Sequence, residues 1–327
     1  MKLKISIVML ACLMALSGCT GAANEAQAQG KINVVTTVGM ITDIARVVGG
    51  DRVSVIGLMG PGVDPHLYRA AAGDVKTLGD ADIIFYGGLH LEGKMADVFE
   101  RVSKRIPTYP VGEGVPVDQR LTDPNYPQFA DPHIWFDVSF WSLAVGRIQD
   151  GLSALDPDHA AEYQQRASDY QAKLRTLDEY VKTAIQTIPE SQRVMITSHD
   201  AFRYFGRRYG IEVLALQGIS TEAEASVEDV RHLTGIVVQR KIPAMFIESS
   251  VPQRTIEAVQ AAVRDEGWDV KIGGELFSDA MGDAGTLEGT YIGMILHNVN
   301  TITTALGGNM PPLPDDLADY QAVVKGV

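Results

Sequence analysis

The longest helical signal in the chain lies in its middle, and it constrains the fold more than any other feature. Residues 158–187 contain neither glycine nor proline. Apolar residues recur there at three- and four-residue spacing, namely Tyr163, Ala167, Tyr170, Leu174, Leu177 and Val181. With Asp156-Pro157 as a start signal and Pro189 as a stop, this pattern predicts one helix of about 30 residues, roughly 45 Å long.

A helix of this length has two interpretations. It is long enough to cross from one domain to another as a stiff connector, unlike a flexible linker rich in glycine and serine. Alternatively, it is a long helix within a single domain. We favour the connector, because a chain of 327 residues is long enough for two domains.

Short β-branched runs alternate with helical segments on both sides of the predicted helix. The strand candidates are 32–36, 53–58, 82–86, 193–197, 212–216, 244–248 and 270–272. Such alternation favours parallel sheets covered by helices. We therefore predict an α/β protein of two lobes, each a mainly parallel β-sheet flanked by helices, joined by one long rigid helix. The predicted boundaries are 31–156 for the amino-terminal lobe, 157–188 for the linking helix and 189–327 for the carboxy-terminal lobe.

The first residues predict a secretory signal peptide. Two lysines precede an apolar run at 5–16 that is too short to span a bilayer as a permanent helix. The tetrad Leu16-Ser17-Gly18-Cys19 resembles the bacterial lipobox, which implies removal of residues 1–18 and lipidation of Cys19. An ordinary signal peptide with an incidental cysteine is the alternative.

Residues 19–30 have few apolar side chains to bury and are predicted to be a flexible tether. We thus expect an extracytoplasmic protein, in the periplasm or at the cell surface, that is anchored in the lipid bilayer.

Composition limits both the partners and the ligands. The formal net charge is −13, which argues against binding to nucleic acid because such proteins present basic patches. Of the two cysteines, Cys12 lies inside the predicted signal peptide and Cys19 is the predicted lipid attachment site. Any metal site in the mature chain must therefore be built from imidazole and carboxylate groups.

Three of the seven histidines lie in contexts that suit metal binding. His66 and His133 share the tripeptide Asp-Pro-His, in which proline stiffens the approach to the imidazole. The aspartate can close a turn or accept a hydrogen bond from the ring. His199 directly follows the strand candidate 193–197, at the end of the strand where open α/β sheets place their ligands.

A carboxylate completes the candidate ligand set. Asp279 follows the strand candidate near 270–272. Its carboxylate either caps the next helix or binds metal, and in the second case Ser278 is the residue that caps the helix. Three imidazoles and one carboxylate suit Zn²⁺ or a similar ion. The wide spacing of these residues does not by itself establish a site. His90 is a reserve ligand, and Glu248 is interpreted as a supporting residue.

The chain from Ile32 to about Leu306 resembles the metal-binding lipoproteins of ATP-binding-cassette importers, the cluster A-I or TroA-like group. Four segments carry the resemblance, namely Gly62-Val63-Asp64-Pro65-His66-Leu67-Tyr68 with Asp74-Val75, Asp131-Pro132-His133-Ile134-Trp135-Phe136-Asp137, Ser198-His199-Asp200-Ala201-Phe202 with Tyr204-Phe205, and Phe277-Ser278-Asp279-Ala280-Met281-Gly282 with Thr290-Tyr291. The resemblance implies that His66 and His133 from the first lobe, and His199 and Asp279 from the second, bind one metal ion in the cleft between the lobes.

Two departures from the patterns of the family's branches narrow the resemblance. Residues 116–130 contain no histidine, whereas the zinc-specific branch has a histidine-rich loop in its first lobe. The third ligand position is His199, where the manganese-preferring branch has glutamate. The chain therefore resembles the treponemal-type branch, which has three histidines and one aspartate and handles zinc and manganese.

These observations predict a solute-binding lipoprotein that is not an enzyme. We expect it to act as a monomer, to carry zinc or manganese as cargo and to deliver it to the permease of an ATP-binding-cassette importer. The nitrogen-rich site predicts tighter binding of Zn²⁺ than of Mn²⁺. The alternative is a membrane-anchored zinc hydrolase, in which three histidines hold zinc with an open position for water and Asp279 or Glu248 is the general base.

Overall fold

The computed structural model describes residues 30–122 and 127–325. The predicted signal peptide, Cys19 and nearly all of the predicted tether lie outside these residues. Within the described ranges, no helix is both long enough and apolar enough to cross a membrane.

The amino-terminal lobe is built on a four-stranded parallel sheet. Its strands are β1 (Ile32–Thr36), β2 (Val53–Gly57), β3 (Ile83–Tyr86) and β4 (Thr108–Pro110). Its helices are α1 (Gly39–Gly49), α2 (Ala72–Gly79), α3 (Ala96–Val102) and α4 (Val138–Leu155). The strand order is β2-β1-β3-β4, with Val34 of β1 in register with Val55 and Ile83. The inner strands β1 and β3 are almost wholly buried, as parallel strands covered on both faces are.

The predicted central helix is present as one continuous element. A 3₁₀ turn at Pro157–His159 leads into α5 (Ala160–Gln186), whose 27 residues span about 40 Å. Its buried positions include all six apolar residues of the predicted stripe. The sequence prediction of a single long helix is therefore confirmed.

The carboxy-terminal lobe contains two pairs of parallel strands. Its strands are β5 (Val194–Thr197), β6 (Glu212–Ala215), β7 (Ala244–Glu248) and β8 (Lys271–Leu276). Its helices are α6 (Arg203–Tyr209), α7 (Val227–Arg240), α8 (Arg254–Asp265), α9 (Tyr291–Ala305) and α10 (Gln321–Lys325). β5 pairs with β6 and β7 with β8, while β5 packs beside β7. The two-lobed α/β architecture agrees with the prediction.

One hydrophobic core connects the two lobes. The helix α5 packs against α1 and α4 of the first lobe and against α6 and α9 of the second. The same core cluster extends from Val34 in β1 to Ile302 in α9. A second, smaller cluster lies inside the carboxy-terminal lobe and includes Val237 and Ile256. Because separating the lobes widely would expose this shared core to water, the fold favours small relative movements. The exact lobe boundaries at 156 and 188 remain a prediction.

Candidate metal centre

Four side chains from four separate loops converge at the cleft between the lobes. They are His66, His133, His199 and Asp279, and one potential ligand atom from each lies within 4.8 Å of the others. All four residues are buried, with exposed fractions of 3%, 0%, 0% and 1%. The structure thus brings together the four residues that the sequence singles out, two from each lobe.

The distances between these atoms fit a single ion at their centre. Nε2 of His66 lies 3.3 Å from Nε2 of His133. Oδ2 of Asp279 lies 3.4 Å from Nε2 of His66 and 3.3 Å from Nε2 of His199, while its Oδ1 lies 3.5 Å from Nε2 of His133. Ligand atoms around a tetrahedral zinc ion with bonds of about 2.0–2.1 Å are separated by about 3.3–3.4 Å. Both carboxylate oxygens face the imidazoles, so five donor atoms are available.

A buried carboxylate fixes the imidazole of His133. Oδ1 of Asp131 accepts a hydrogen bond from the backbone N–H of His133 at 3.0 Å and lies 2.8 Å from its Nδ1. With the proton on Nδ1, the lone pair of Nε2 points into the centre. The guanidinium of Arg203, in α6 of the other lobe, lies 3.7 Å from Oδ2 of Asp131.

A second carboxylate holds His199 in the same way. Glu248, the last residue of β7, accepts from the backbone N–H of His199 through Oε1 at 2.9 Å. Its Oε2 lies 2.5 Å from Nδ1 of His199. This arrangement again directs Nε2 into the centre. Glu248 therefore supports a candidate ligand, as the sequence suggested, and its carboxylate lies on the far side of the imidazole from Asp279.

The loop that carries His66 is held through its backbone. Oδ1 of Asp64 accepts from the N–H of His66 at 2.9 Å, which is the turn expected for Asp-Pro-His. Farther along the loop, the hydroxyl of Tyr68 donates to Asp74 at 2.9 Å. Burial and this hydrogen bond to a carboxylate raise the pKa of Tyr68 to about 12. The hydroxyl therefore stays protonated and continues to donate.

The electrostatics of the centre call for a positive charge. Nε2 of His199 and both oxygens of Asp279 are buried without a hydrogen-bond partner, which is costly unless a cation satisfies them. Burial alone would lower the pKa of His199, but the carboxylates of Glu248 and Asp279 hold it well above its usual value. Burial likewise opposes ionisation of Asp279, yet the neighbouring imidazoles keep its pKa well below the usual range. The carboxylate is therefore ionised and ready to bind a cation.

The strand ends explain why these loops meet. His199 lies two residues after β5 and Asp279 three residues after β8, so both project from the carboxyl ends of parallel strands. The expectation that Asp279 or Ser278 caps the next helix is wrong. That helix begins at Tyr291, and the side chain of Thr290 caps it by accepting from the N–H of Gly293.

The reserve ligand His90, and two histidines that the sequence did not single out, lie outside the centre. His90 is exposed and packs edge-on against Phe129 at 4.6 Å between ring centroids. His159 is paired with Asp156 at 2.9 Å, and Nε2 of His297 lies 3.0 Å from the carbonyl oxygen of Glu275. In the part of the chain that the structure describes, the group at the centre is the one place where three or more side chains that could hold a metal ion converge.

Comparisons with known proteins show the family to which the chain belongs. The family model described as zinc-uptake complex component A, periplasmic (ZnuA) matches residues 34–305. This chain belongs to that family. It is 50% identical to the zinc-binding protein TroA of Treponema pallidum (strain Nichols) over 301 residues, which cover 90% of this chain and 97% of TroA. It is 42% identical to the manganese-binding lipoprotein MntA of Bacillus subtilis (strain 168) over 306 residues, covering 94% of this chain and all of MntA.

Solved structures lead to the same family. The periplasmic zinc-binding protein TroA from Treponema pallidum superimposes with a TM-score of 0.83 at 52% identity, covering 85% of this chain and 99% of TroA. Fe(III)-bound YtgA from Chlamydia trachomatis superimposes with a TM-score of 0.78 at 26% identity, covering 86% of this chain and all of YtgA. The family is one of solute-binding transport proteins, and nothing in it favours the hydrolase alternative.

Proposed function

We propose that this chain captures a divalent transition metal, zinc or manganese, outside the cytoplasm and delivers it to an ATP-binding-cassette importer. The single observation that carries the proposal is the convergence of His66, His133, His199 and Asp279 on one buried point between the lobes. Solute-binding proteins of such importers work with a permease and its ATPase. The metal is therefore cargo, and release to the permease requires the lobes to loosen their joint hold.

The same arrangement explains why a binding protein fits better than a hydrolase. Catalytic zinc sites keep three protein ligands and an open position for water. Here four side chains surround the point, and both oxygens of Asp279 face it. Glu248 is occupied by His199 and cannot serve as a general base for a metal-bound water. We therefore propose that the chain has no hydrolytic activity.

The donor atoms favour zinc in a direct competition. Three imidazole nitrogens and one carboxylate form a low-coordinate, nitrogen-rich site, and intrinsic affinities rank Zn²⁺ above Mn²⁺. We predict that Mn²⁺ in moderate excess does not displace Zn²⁺ from the purified protein. Availability outside the cell determines which of the two metals is carried.

The proposal extends to the location of the protein. Cleavage before Cys19 and lipidation of its sulfur would tether the folded lobes to the cell membrane, and Cys19→Ala is expected to release the protein from the membrane fraction.

We also propose that the protein acts as a monomer, because one chain supplies all four side chains of the centre.

Elemental analysis of protein purified without added metal tests the central proposal. We expect about one zinc or manganese ion per chain in the wild type and a loss of most metal from His199→Ala. If about 10–16 kcal/mol of binding free energy is shared equally among four ligands, losing one weakens binding by roughly 60- to 700-fold. His232→Ala is the matched control, because His232 lies in the helix α7 away from the centre. Equal metal contents in the two variants would contradict the proposal.

A further inference from the structure

Two hydrogen bonds join the ligand loops of the two lobes deep inside the protein. The hydroxyl of Tyr204 in α6 donates to the carbonyl of Asp131 at 3.1 Å. Nε1 of Trp135 donates to the carbonyl of Ser278, next to the candidate ligand Asp279, at 3.1 Å. Tyr204 and Trp135 are 0% and 2% exposed and belong to the shared core. The inner side of the cleft is therefore fixed by packing as well as by hydrogen bonds.

A third link crosses the outer side of the cleft. The hydroxyl of Thr221, in the carboxy-terminal lobe, donates to Oδ2 of Asp64 at 2.6 Å. The other oxygen of Asp64 accepts from the backbone N–H of His66 at 2.9 Å. One carboxylate thus connects the second lobe to the loop of a candidate ligand in the first lobe.

The segment that carries Thr221 is also attached to the loop of His199. We call residues 217–224 the cleft loop. At its base, the N–H of Asp200, which follows His199, donates to the carbonyl of Gly218 at 3.1 Å. The cleft loop therefore connects the His199 loop at its base to the His66 loop near its tip, by a path that does not pass through the core.

The burial pattern shows which side chain makes this contact. The cleft loop is mostly exposed, and Thr221 is the one buried position between residues 217 and 224, with 9% exposure. The neighbouring residue Glu222 forms an ion pair with Lys94 of the first lobe at 2.8 Å, and both partners are partly exposed. The contacts across the outer side are therefore polar and few, in contrast to the packed inner side.

The cleft loop also forms one wall of a cavity that reaches the metal centre. This cavity of about 500 Å³ is lined by His66, by residues 218–220 and 222–223 of the cleft loop, and by His90 and Phe129 of the first lobe. It connects the buried imidazole of His66 with the surface. The rest of the centre is enclosed by the packed core that surrounds His133 and His199.

We propose that bound metal leaves through this cavity, and that the hydrogen bond between Thr221 and Asp64 sets the rate of its dissociation. This inference rests on the proposed function. While the bond is formed, the loops of His66 and His199 are held together and the metal keeps ligands from both lobes. When it breaks, the loop of His66 is free to move outward, and a ligand is lost at the side where the cavity opens. Thr221 is thus a positioning residue, because it acts on the metal through Asp64 and His66.

Stopped-flow measurement of Zn²⁺ release to a chromophoric chelator, extrapolated to zero chelator, tests this inference. Thr221→Val removes the donor but keeps the shape of the side chain. We expect it to release Zn²⁺ about tenfold faster than the wild type, which corresponds to about 1.4 kcal/mol. Thr221→Ser retains a hydroxyl and is expected to restore the wild-type rate. Lys94→Met, which breaks only the exposed ion pair, is expected to accelerate release about twofold.

Thr176→Val provides a matched control. It removes another threonine–aspartate hydrogen bond, from Thr176 in α5 to Asp316 at 3.3 Å, on an exposed surface outside the cleft. Its release rate should equal that of the wild type, and melting of all metal-free variants should show equal folding. If Thr221→Val released Zn²⁺ at the rate of Thr176→Val, the inference would be refuted. A wild-type protein that bound no Zn²⁺ would instead refute the proposed function, and this inference with it.

Discussion

Two imidazoles at the centre are held by buried carboxylates, but the two lobes supply these carboxylates differently. In the amino-terminal lobe, Asp131 lies two residues before His133 and is placed by the turn around Pro132. In the carboxy-terminal lobe, Glu248 is 49 residues away from His199 and is placed by the end of β7 beside β5. The first arrangement is local to one loop, whereas the second exists only when the strands of the lobe are assembled.

The two carboxylates also differ in how many oxygens they use. A single oxygen of Asp131 accepts from both the backbone N–H and the Nδ1–H of His133. Glu248 uses one oxygen for the backbone N–H and the other for Nδ1 of His199. An amide has only one acceptor oxygen, so replacing a carboxylate by an amide should affect the two lobes unequally.

Removal of the Glu248 carboxylate should have the largest effect. In Glu248→Ala, the buried N–H groups of His199 lose both acceptors and the tautomer of the ring is no longer fixed. We expect the affinity for Zn²⁺ to fall about 100-fold, measured by competition with a chelator of known affinity. An affinity within threefold of the wild type would show that Glu248 does not position His199.

The amide variant at the same position should have an intermediate effect. Glu248→Gln keeps one acceptor oxygen, so only one of the two hydrogen bonds to His199 survives. We expect about a tenfold loss of Zn²⁺ affinity in the same competition assay. An effect as large as that of Glu248→Ala would mean that the negative charge of Glu248, rather than its number of acceptors, is the decisive property.

The corresponding variant in the other lobe should have the smallest effect. Asp131→Asn retains the single oxygen that accepts both hydrogen bonds from His133, and its amino group would face Arg203 in place of Oδ2. We expect a loss of Zn²⁺ affinity of no more than about threefold. A greater loss in Asp131→Asn than in Glu248→Gln would contradict the proposed difference between the lobes.

Most of the fold could be predicted from the sequence because its signals are local. The long helix was evident from one amphipathic stripe without glycine or proline, and α5 has the same stripe buried. Several elements were not predicted, and β4 and α9 show why. β4 has only three residues and ends in Pro110, and α9 begins with an unbroken apolar run at 291–296, which by itself does not distinguish a buried helix from a strand. The division of the second lobe into two strand pairs depends on register, which short apolar runs do not specify.

The candidate site was predictable to the extent that its residues carry local patterns. The doubled Asp-Pro-His tripeptide indicates His66 and His133 as candidate ligands, and the position after a predicted strand indicates His199 and Asp279. Only the family resemblance joined the four into one site. The link from Thr221 to Asp64 was not predicted, because its two residues are separated by 157 positions and neither lies in a pattern that indicates the other.

The most direct test of the metal centre is crystallography of the zinc-loaded protein with data collected on both sides of the zinc absorption edge. We predict one strong anomalous peak between the lobes, about 2.0–2.2 Å from Nε2 of His66, His133 and His199 and from a carboxylate oxygen of Asp279. A peak bound to other side chains, or the absence of a peak from a fully folded protein at saturating zinc, would contradict the proposal that these four residues bind the cargo.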